Sequence, residues 1–342
     1  MPTIKDVARK CGVRPSTVSY VLNNSRPVAE STRKTILAAI DELGYHPSAV
    51  ARGLSLKRMN IIGLIMAQNN IVPSANPYFG PVLDGIVAVA EAAGFNTMLF
   101  TGQFWSNEAS DARIYTDGRC DGLILVSPHV DSNIVPALLK TGVPFVVIGE
   151  NIDTPSVCAV DVDHRSAARE VVEYLVALGH RRIALLGGET VSRSARERLG
   201  GYASVLRERG IGCDESLVPG ADWSPDSVPA RVQHLLDLQP NRAPTAIFCA
   251  NDELALETLK YLAQRGVRVP EDISVVGFDD SRDAAKSTPA LTSMRQPMRD
   301  LGIRGADLLI RCINDRGVVG EKIILPTQLI VRQSSREPRK DS

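Results

Sequence analysis

Between Ile4 and Gly44 apolar residues recur at helical spacing with no strand-like alternation. Ile4, Val7, Ala8 and Cys11 share one face of a first helix, and Gly12 follows where a tight turn needs positive φ. Pro15 suits the first position of a second helix that buries Val18, Val21 and Leu22 and turns Ser16, Thr17, Ser19 and Tyr20 outward. After the loop at residues 23–27, a third helix directs Ile36, Leu37, Ile40 and Leu43 inward and stops at Gly44. Residues 47–58 read differently: Pro47 restarts the chain, and the stretch 49–54 is a weak helix, interrupted by Gly53, that orders only conditionally.

From Ile61 the pattern changes to apolar runs of strand length alternating with amphipathic helices. Strands are predicted at 61–67, 97–100, 122–126, 145–148, 158–160, 183–186, 246–250 and 273–278. Helices are predicted at 82–93, 167–178, 195–209, 228–238 and 254–264. Such alternation builds parallel sheets flanked by helices, and this length exceeds one compact sheet. The economical architecture is therefore an all-α headpiece joined to an α/β body of two doubly wound subdomains with a cleft between them. The polar segment 334–342, broken by Pro338, is expected to be disordered, and it carries no leucine heptad for a helical-bundle oligomer.

Charge sharpens this division. The 342 residues hold 39 Lys+Arg and 39 Asp+Glu, a formal net charge of zero. Residues 1–60 hold ten basic and four acidic side chains, so the remainder carries 29 against 35. A basic head that can approach phosphates is followed by an acidic body that is repelled from them. No apolar run approaches the ~18 residues that span a bilayer, and the first ten residues lack the apolar stretch of a secretory signal. A cytoplasmic protein with no membrane partner is expected. The six cysteines are scattered, without a C-x-x-C pair or a nearby histidine, and read as buried hydrophobes, so no metal site is expected.

Two helices joined by a glycine turn within 22 residues, positively charged and with an exposed polar face on the second, have the layout of a helix-turn-helix that reads a major groove. A three-helix bundle that binds protein is the alternative, and the charge surplus weighs against it. The segments 3–8 (TIKDVA), 12–13 (GV), 16–19 (STVS), 21–23 (VLN) and 43–47 (LGYHP) resemble the headpiece of the lactose-repressor/galactose-repressor family of bacterial transcriptional regulators. Residues 51–54 (ARGL) resemble its hinge helix, and motifs such as 76–79 (NPYF), 178–180 (LGH), 250–252 (AND) and 274–280 (SVVGFDD) continue the likeness through the body.

The resemblance implies a headpiece at 1–46, a hinge at 47–58 and an effector-binding and dimerisation domain at 59–333. Within that domain an N-subdomain would take about 59–161 and 291–320, and a C-subdomain about 162–290 and 321–333. Thr3, Pro15, Ser16, Thr17, Ser19, Tyr20 and Asn23 would contact DNA. Pro15, Ser16 and Tyr20 would read bases, and Thr17 and Ser19 would hold register on phosphates. Ala51, Arg52 and Leu54 would enter the minor groove, with Leu54 wedging a base step and kinking the duplex. Three departures matter: Pro15 has no side-chain donor, and Arg14 and Ala29 stand where relatives have capping serines, each missing cap costing about 1 kcal/mol unless Ser31 or a neighbour substitutes.

In the body no nucleotide-binding, zinc-hydrolase or nucleophile-elbow motif is present, so neither an enzyme nor a cofactor is expected. Polar residues gather instead at the carboxyl ends of predicted strands, where open α/β sheets bind ligands. Taken alone, Asp252 and Asp280 read as a helix cap or loop turn. Arg198, Asn251 and Asp279 stand where the family contacts its effector, Tyr78, Phe79 and Trp223 offer a stacking surface, and Ser194 is a further donor. One of the Tyr78 and Phe79 pair should face the core, and positions where relatives contact ligand, Val126 and Met298 among them, are apolar here.

The combined expectation is a homodimeric repressor on a pseudo-palindromic operator, controlled by a sugar or sugar derivative, with a purine or other metabolite as the alternative effector. Two rivals are a solute-binding protein of transport, which would need a secretory signal and no headpiece, and an α/β enzyme that kept a DNA-binding head.

Overall fold

The computed structural model describes residues 2–47, 53, 58–66, 77–100, 112–150 and 153–339. Ala51, Arg52 and Leu54 lie outside the described residues. The chain divides into a head, residues 1–60 with 118–121, and a body, 61–117 with 122–342.

The head has α1 (Ile4–Cys11), α2 (Pro15–Asn23) and α3 (Glu30–Leu43). Val7, Ala8, Val18, Val21, Ile36 and Ala39 form its core, with Ile4, Leu22, Ile40 and Leu43 packed against it. Leu37 departs from expectation: it is 42% exposed, because the buried stripe of α3 runs through 36, 39, 40 and 43 and the small Ala39 takes the seam. Gly12 and Gly44 end α1 and α3 at φ of 64° and 58°, where a side chain would strain the backbone.

Neither Arg14 nor Ala29 supplies a side-chain cap, and α3 starts without one, so Ser31 does not substitute. Ala29→Ser is expected to stabilise the start of α3 by about 1 kcal/mol. The check is amide exchange in the full chain, where the Ser31 and Thr32 amides should slow about fivefold; unchanged exchange would refute the missing cap.

The body holds two sheets. The first contains β1 (Ile61–Met66), β2 (Asn96–Phe100), β3 (Gly122–Val126), β4 (Phe145–Ile148), β5 (Cys158–Val162) and β10 (Lys322–Leu325), all parallel, in the order β10-β5-β4-β3-β1-β2. The second contains β6 (Ile183–Leu186), β7 (Ala246–Cys249), β8 (Ser274–Asp279), β9 (Thr292–Arg295) and β11 (Gln328–Ile330), in the order β11-β9-β8-β7-β6 with only the β11 edge antiparallel. Helices α4 (Phe79–Ala92), α5 (Ile134–Leu139) and α11 (Met298–Asn314) flank the first sheet. Helices α6 (His164–Ala177), α7 (Arg193–Glu208), α8 (Val228–Leu236), α9 (Asp252–Gln264) and α10 (Arg282–Lys286) accompany the second. Strands β1, β3, β4, β6 and β7 are nearly continuous buried apolar runs, the pattern of parallel strands covered on both faces.

Two expected boundaries move. Thr292–Arg295 pairs with β8 in the second sheet, and Lys322–Leu325 pairs with β5 in the first, so the chain crosses near 163, 296 and 326. The late strands were hidden because Thr292-Ser293-Met294-Arg295 has no apolar run and β10 is an edge strand. The expected disorder from 334 also fails as far as 336. Val275 N donates to Ser334 O at 2.8 Å, Arg336 N donates to Ser274 Oγ at 3.0 Å, and Tyr174 Oη lies 2.8 Å from Ser335 Oγ. This polar segment fills the side of β8 that β9 leaves open, an attachment through backbone polar groups that hydrophobicity cannot signal. His180 joins the same seam, bridging Thr245 Oγ1 at 2.8 Å and Arg336 O at 2.9 Å, a structural use of its ring.

Candidate functional site

In the head, α2 follows α1 after a three-residue turn and exposes Pro15 and Ser16, with Thr17, Ser19, Tyr20 and Asn23 half-buried. Asn23 Nδ2 donates to Ser19 Oγ at 3.1 Å, and the Arg26 guanidinium lies 5.0 Å from the Tyr20 ring centre, placing a cation beside the base-reading candidates. Thr3 is exposed at the start of α1; its hydroxyl donates to Asp6 Oδ2 at 2.7 Å and its N–H donates to the same oxygen at 2.9 Å. Those bonds hold the Asp6 carboxyl below its ordinary range and give Thr3 a capping role besides any contact with phosphate.

In the body, polar side chains meet at the carboxyl ends of both sheets. Arg198, from the second turn of α7, is 4% exposed. Its guanidinium stacks 3.8 Å from the Phe278 ring centre and lies 5.8 Å from that of Trp223. Nη1 donates to Ala250 O, Nη2 is 3.3 Å from His164 Nδ1, and Nε has no partner. His164 Nε2 stands 3.2 Å from Asp161 Oδ1 without the alignment of a hydrogen bond and is likewise unpartnered. Gln296 Nε2 donates to Asp279 Oδ1 at 2.5 Å, while its Oε1 is unsatisfied. Three unsatisfied buried polar atoms in one neighbourhood are costly unless a ligand or water completes them.

Asp279 is 5% exposed at φ 123°, a left-handed conformation strained for a side-chain residue. Burial pushes its carboxyl up to about 8, opposed by Arg198 and reinforced by Asp252. Asp252, up to about 6 through burial, accepts from Ser281 N at 2.7 Å and Ser293 Oγ at 2.6 Å, and so braces the strand ends from behind. Tyr78 sits in the same field: burial and the Asp161 charge raise its phenol, while a hydrogen bond to Ser127 opposes them. A Cβ at Gly149, φ 77°, would fall 2.5 Å from Tyr78 Oη and 2.8 Å from Ser127 Oγ, so glycine there lets both hydroxyls converge.

Trp223 lies flat on the β6–α7 loop, since a Cβ at Gly188 would stand 1.9 Å from its indole. Buried Arg231 holds the Trp223 loop by donating to Pro219 O at 2.7 Å, Asp222 O at 2.9 Å and Gly187 O at 2.8 Å. Arg231→Leu would strand three carbonyls; a loss of about 3 kcal/mol in denaturant unfolding and a roughly tenfold weaker effector Kd are expected. Unaltered affinity would show that Trp223 is not held for binding.

One lip of the cleft is closed. Val130 N donates to Val191 O at 3.0 Å, and Arg193 forms a bidentate pair with Asp153 at 2.8 and 3.0 Å. Ser192 gives α7 no side-chain cap; Glu150, beyond β4 in the other half, accepts from Arg193 N at 2.9 Å and from Ser194 N. A helix of the second half is thus capped by a carboxylate of the first. Glu150 is 2% exposed, and burial pushes it up to about 8.

Of the expected effector residues, Tyr78, Arg198, Trp223 and Asp279 converge. Ser194 sits at the lip, its Oγ 2.7 Å from Ser192 Oγ, and Asn251 caps α9 by accepting from Leu254 N at 2.8 Å. Phe79 does not line the cleft: it is 6% exposed in the core of the first half, edge-on to Tyr78, and is the inward member of that pair. Val126 and Met298 are core residues too. Glu150, Asp161, His164 and Gln296 were missed; each lies at or just beyond the carboxyl end of a strand, and applying that rule to every predicted strand would have found the first three, whereas Gln296 follows β9, which no apolar run announces. Among the described residues no cluster of His, Cys, Asp and Glu could hold a metal ion, and no helix is long and apolar enough to cross a membrane.

The profile of the bacterial regulatory proteins of the lacI family matches residues 3–48, and that of the periplasmic binding protein-like domain matches residues 172–335. The HTH-type transcriptional regulator CelR of Thermobifida fusca is 35% identical over 335 residues, 97% of this chain and 98% of CelR. A solved CelR–cellobiose complex superposes with a TM-score of 0.75 at 34% identity, covering 98% of this chain and 100% of that one. The HTH-type transcriptional repressor PurR of Photobacterium profundum is 32% identical over 339 residues, 98% of this chain and 99% of PurR. The Lac repressor dimer bound to operator and the anti-inducer ONPF superposes with a TM-score of 0.84 at 32% identity, covering 98% of this chain and 99% of that one. With a helix-turn-helix head, a doubly wound body and full-length relatives at this identity, the chain belongs to the LacI family of bacterial regulatory proteins, transcriptional regulators rather than enzymes.

Proposed function

We propose that the protein is a cytoplasmic, homodimeric repressor of a pseudo-palindromic operator whose affinity is set by a sugar or sugar derivative bound in the body cleft. The observation that carries the effector class is the set of buried, unsatisfied groups at Arg198, His164 and Gln296, beside the Asp161 and Asp279 carboxyls and under the Trp223 face. Adjacent donors and acceptors with an aromatic platform suit a ring that carries several hydroxyls. Ligand acts by linkage: it changes operator affinity only through its differential affinity for two arrangements of the body halves.

Pro15, Ser16 and Tyr20 read bases, Thr3, Thr17, Ser19 and Asn23 hold the backbone, and Ala51, Arg52 and Leu54 occupy the minor groove. Selection from random DNA with the full chain should recover a palindromic site; failure at low salt would overturn the reading. Leu54→Ala should reduce DNA bending without altering effector binding. Calorimetric titration with mono- and disaccharides and purines identifies the effector class, and a purine that binds where no sugar does would replace the sugar by the alternative. Turnover of any bound compound, lost in Asp279→Ala, would favour the enzyme.

A further inference from the structure

Cys158 opens β5 and Cys312 lies in the last turns of α11; their sulfurs are 3.8 Å apart, and the residues are 3% and 6% exposed. The frame around them is fixed on several sides. Arg311 pairs with both oxygens of Glu321 at 2.7 and 2.8 Å, Ala159 N donates to Glu321 O at 2.9 Å, and Gly320 N donates to Ser156 O at 3.2 Å. Cys158 Sγ lies 3.9 Å from Val318 O, and the next residue, Val319, is 67% exposed, so the pair sits beside a surface turn. A disulfide needs sulfurs about 2.05 Å apart, a closure within the reach of χ1 rotations shared by two side chains.

We propose that Cys158 and Cys312 form a peroxide-oxidisable dithiol that closes to an intramolecular disulfide. Burial and the neighbouring thiol push the Cys312 thiol up to about 12, so mildly alkaline conditions favour the reaction. The Cys158 thiolate attacks a peroxide oxygen; the S–O bond forms, the O–O bond breaks, and the leaving hydroxide takes a proton to become water. The Cys312 thiolate then attacks Cys158 Sγ; the S–S bond forms and the S–O bond breaks, releasing a second water. One hydrogen peroxide is reduced as two thiols are oxidised. The resulting loop encloses strands β6 to β9 of the second sheet and their helices, entered at 163 and left at 296, with only the edge strand β11 beyond it. Its length makes the restriction of the unfolded chain large.

The test treats the full chain with hydrogen peroxide at mildly alkaline pH and maps its peptides. A linked pair containing Cys158 and Cys312, two hydrogens lighter than the sum of its parts, supports the proposal. So does a rise in Tm of about 5 °C that dithiothreitol reverses and that is absent in Cys312→Ser and Cys158→Ala. Exposed Cys213 serves as the internal control for oxidant delivery. Mapping that finds Cys213 oxidised while Cys158 and Cys312 stay free, or carry separate sulfinic acids, overturns the proposal even if both variants fail to fold.

Discussion

Arg198→Met is expected to weaken effector binding by about a hundredfold while operator binding stays intact, leaving a repressor deaf to its ligand. The guanidinium is held on three sides, by the Phe278 face, Ala250 O and His164, yet keeps a free Nε–H in a buried pocket. Its placement is complete before the ligand arrives, so its hydrogen bonds to ligand need little reorganisation. A charge-assisted hydrogen bond contributes about 1.5–3 kcal/mol, and loss of one or two accounts for the factor. Methionine fills similar space and keeps sulfur against Phe278, so the fold should survive. Arg198→Lys should fall between the two, since an ammonium neither stacks as a plane nor reaches two acceptors in one fork. Titration calorimetry and an operator-binding assay on the same preparation check this; unchanged affinity in the methionine variant would remove Arg198 from the site.

The second expectation concerns acid and base. Glu150 titrates at about 8 in the folded chain, above its ordinary 4.5, because burial disfavours its charge. Between those pH values the folded protein binds more protons than the unfolded one, so stability is full below about 4.5 and falls as pH rises through 8. Asp279, at about 8, and Asp252, at about 6, act in the same direction. Each group contributes a slope of up to about 1.4 kcal/mol per pH unit within its window.

Glu150→Gln keeps an oxygen for the Arg193 and Ser194 amides without the buried charge, so it should flatten part of this slope and raise Tm at pH about 8. Glu150→Ala also loses the titrating group and flattens the same slope, but it removes the acceptor, so it should lie about 1–2 kcal/mol below Glu150→Gln at every pH, with the lip of the cleft opening. Thermal melts across pH distinguish the two, and a glutamine variant with the wild-type slope would show that Glu150 is not the titrating group. Because the cap joins two halves of the body, its loss should also shift the balance between their arrangements, and with it the effector response.

Reading along the chain recovered the three helices of the head, residues 4–43. They are local structures with strong periodicity and glycine stops, and only Leu37 escaped, because one residue's step around a helix moves a side chain from the seam to its flank. The two parallel sheets were legible for the same reason: strands covered on both faces must be continuous apolar runs. Edge and late strands have no such requirement, so Thr292–Arg295 and the pairing of Lys322–Leu325 with β5 could not be placed from pattern alone.

The candidate site divides along a similar line. Arg198 and Asp279 were candidates because they stand where the family contacts its effector, and Trp223 because an indole offers a stacking surface. Glu150, Asp161, His164 and Gln296 come from four separate points in the chain and carry no local signature. What the amino-acid order determined by itself was the element types, the basic head on an acidic body and the family to which they belong, because each depends on spacing over a few turns or on charge. What only the tertiary structure decided was which polar groups end up buried together and unsatisfied, which carboxylate of one half caps a helix of the other, and that the polar stretch at 334–336 is held in place. Those outcomes depend on the distance between residues remote in sequence, and desolvation and hydrogen bonding act only once the fold has set that distance.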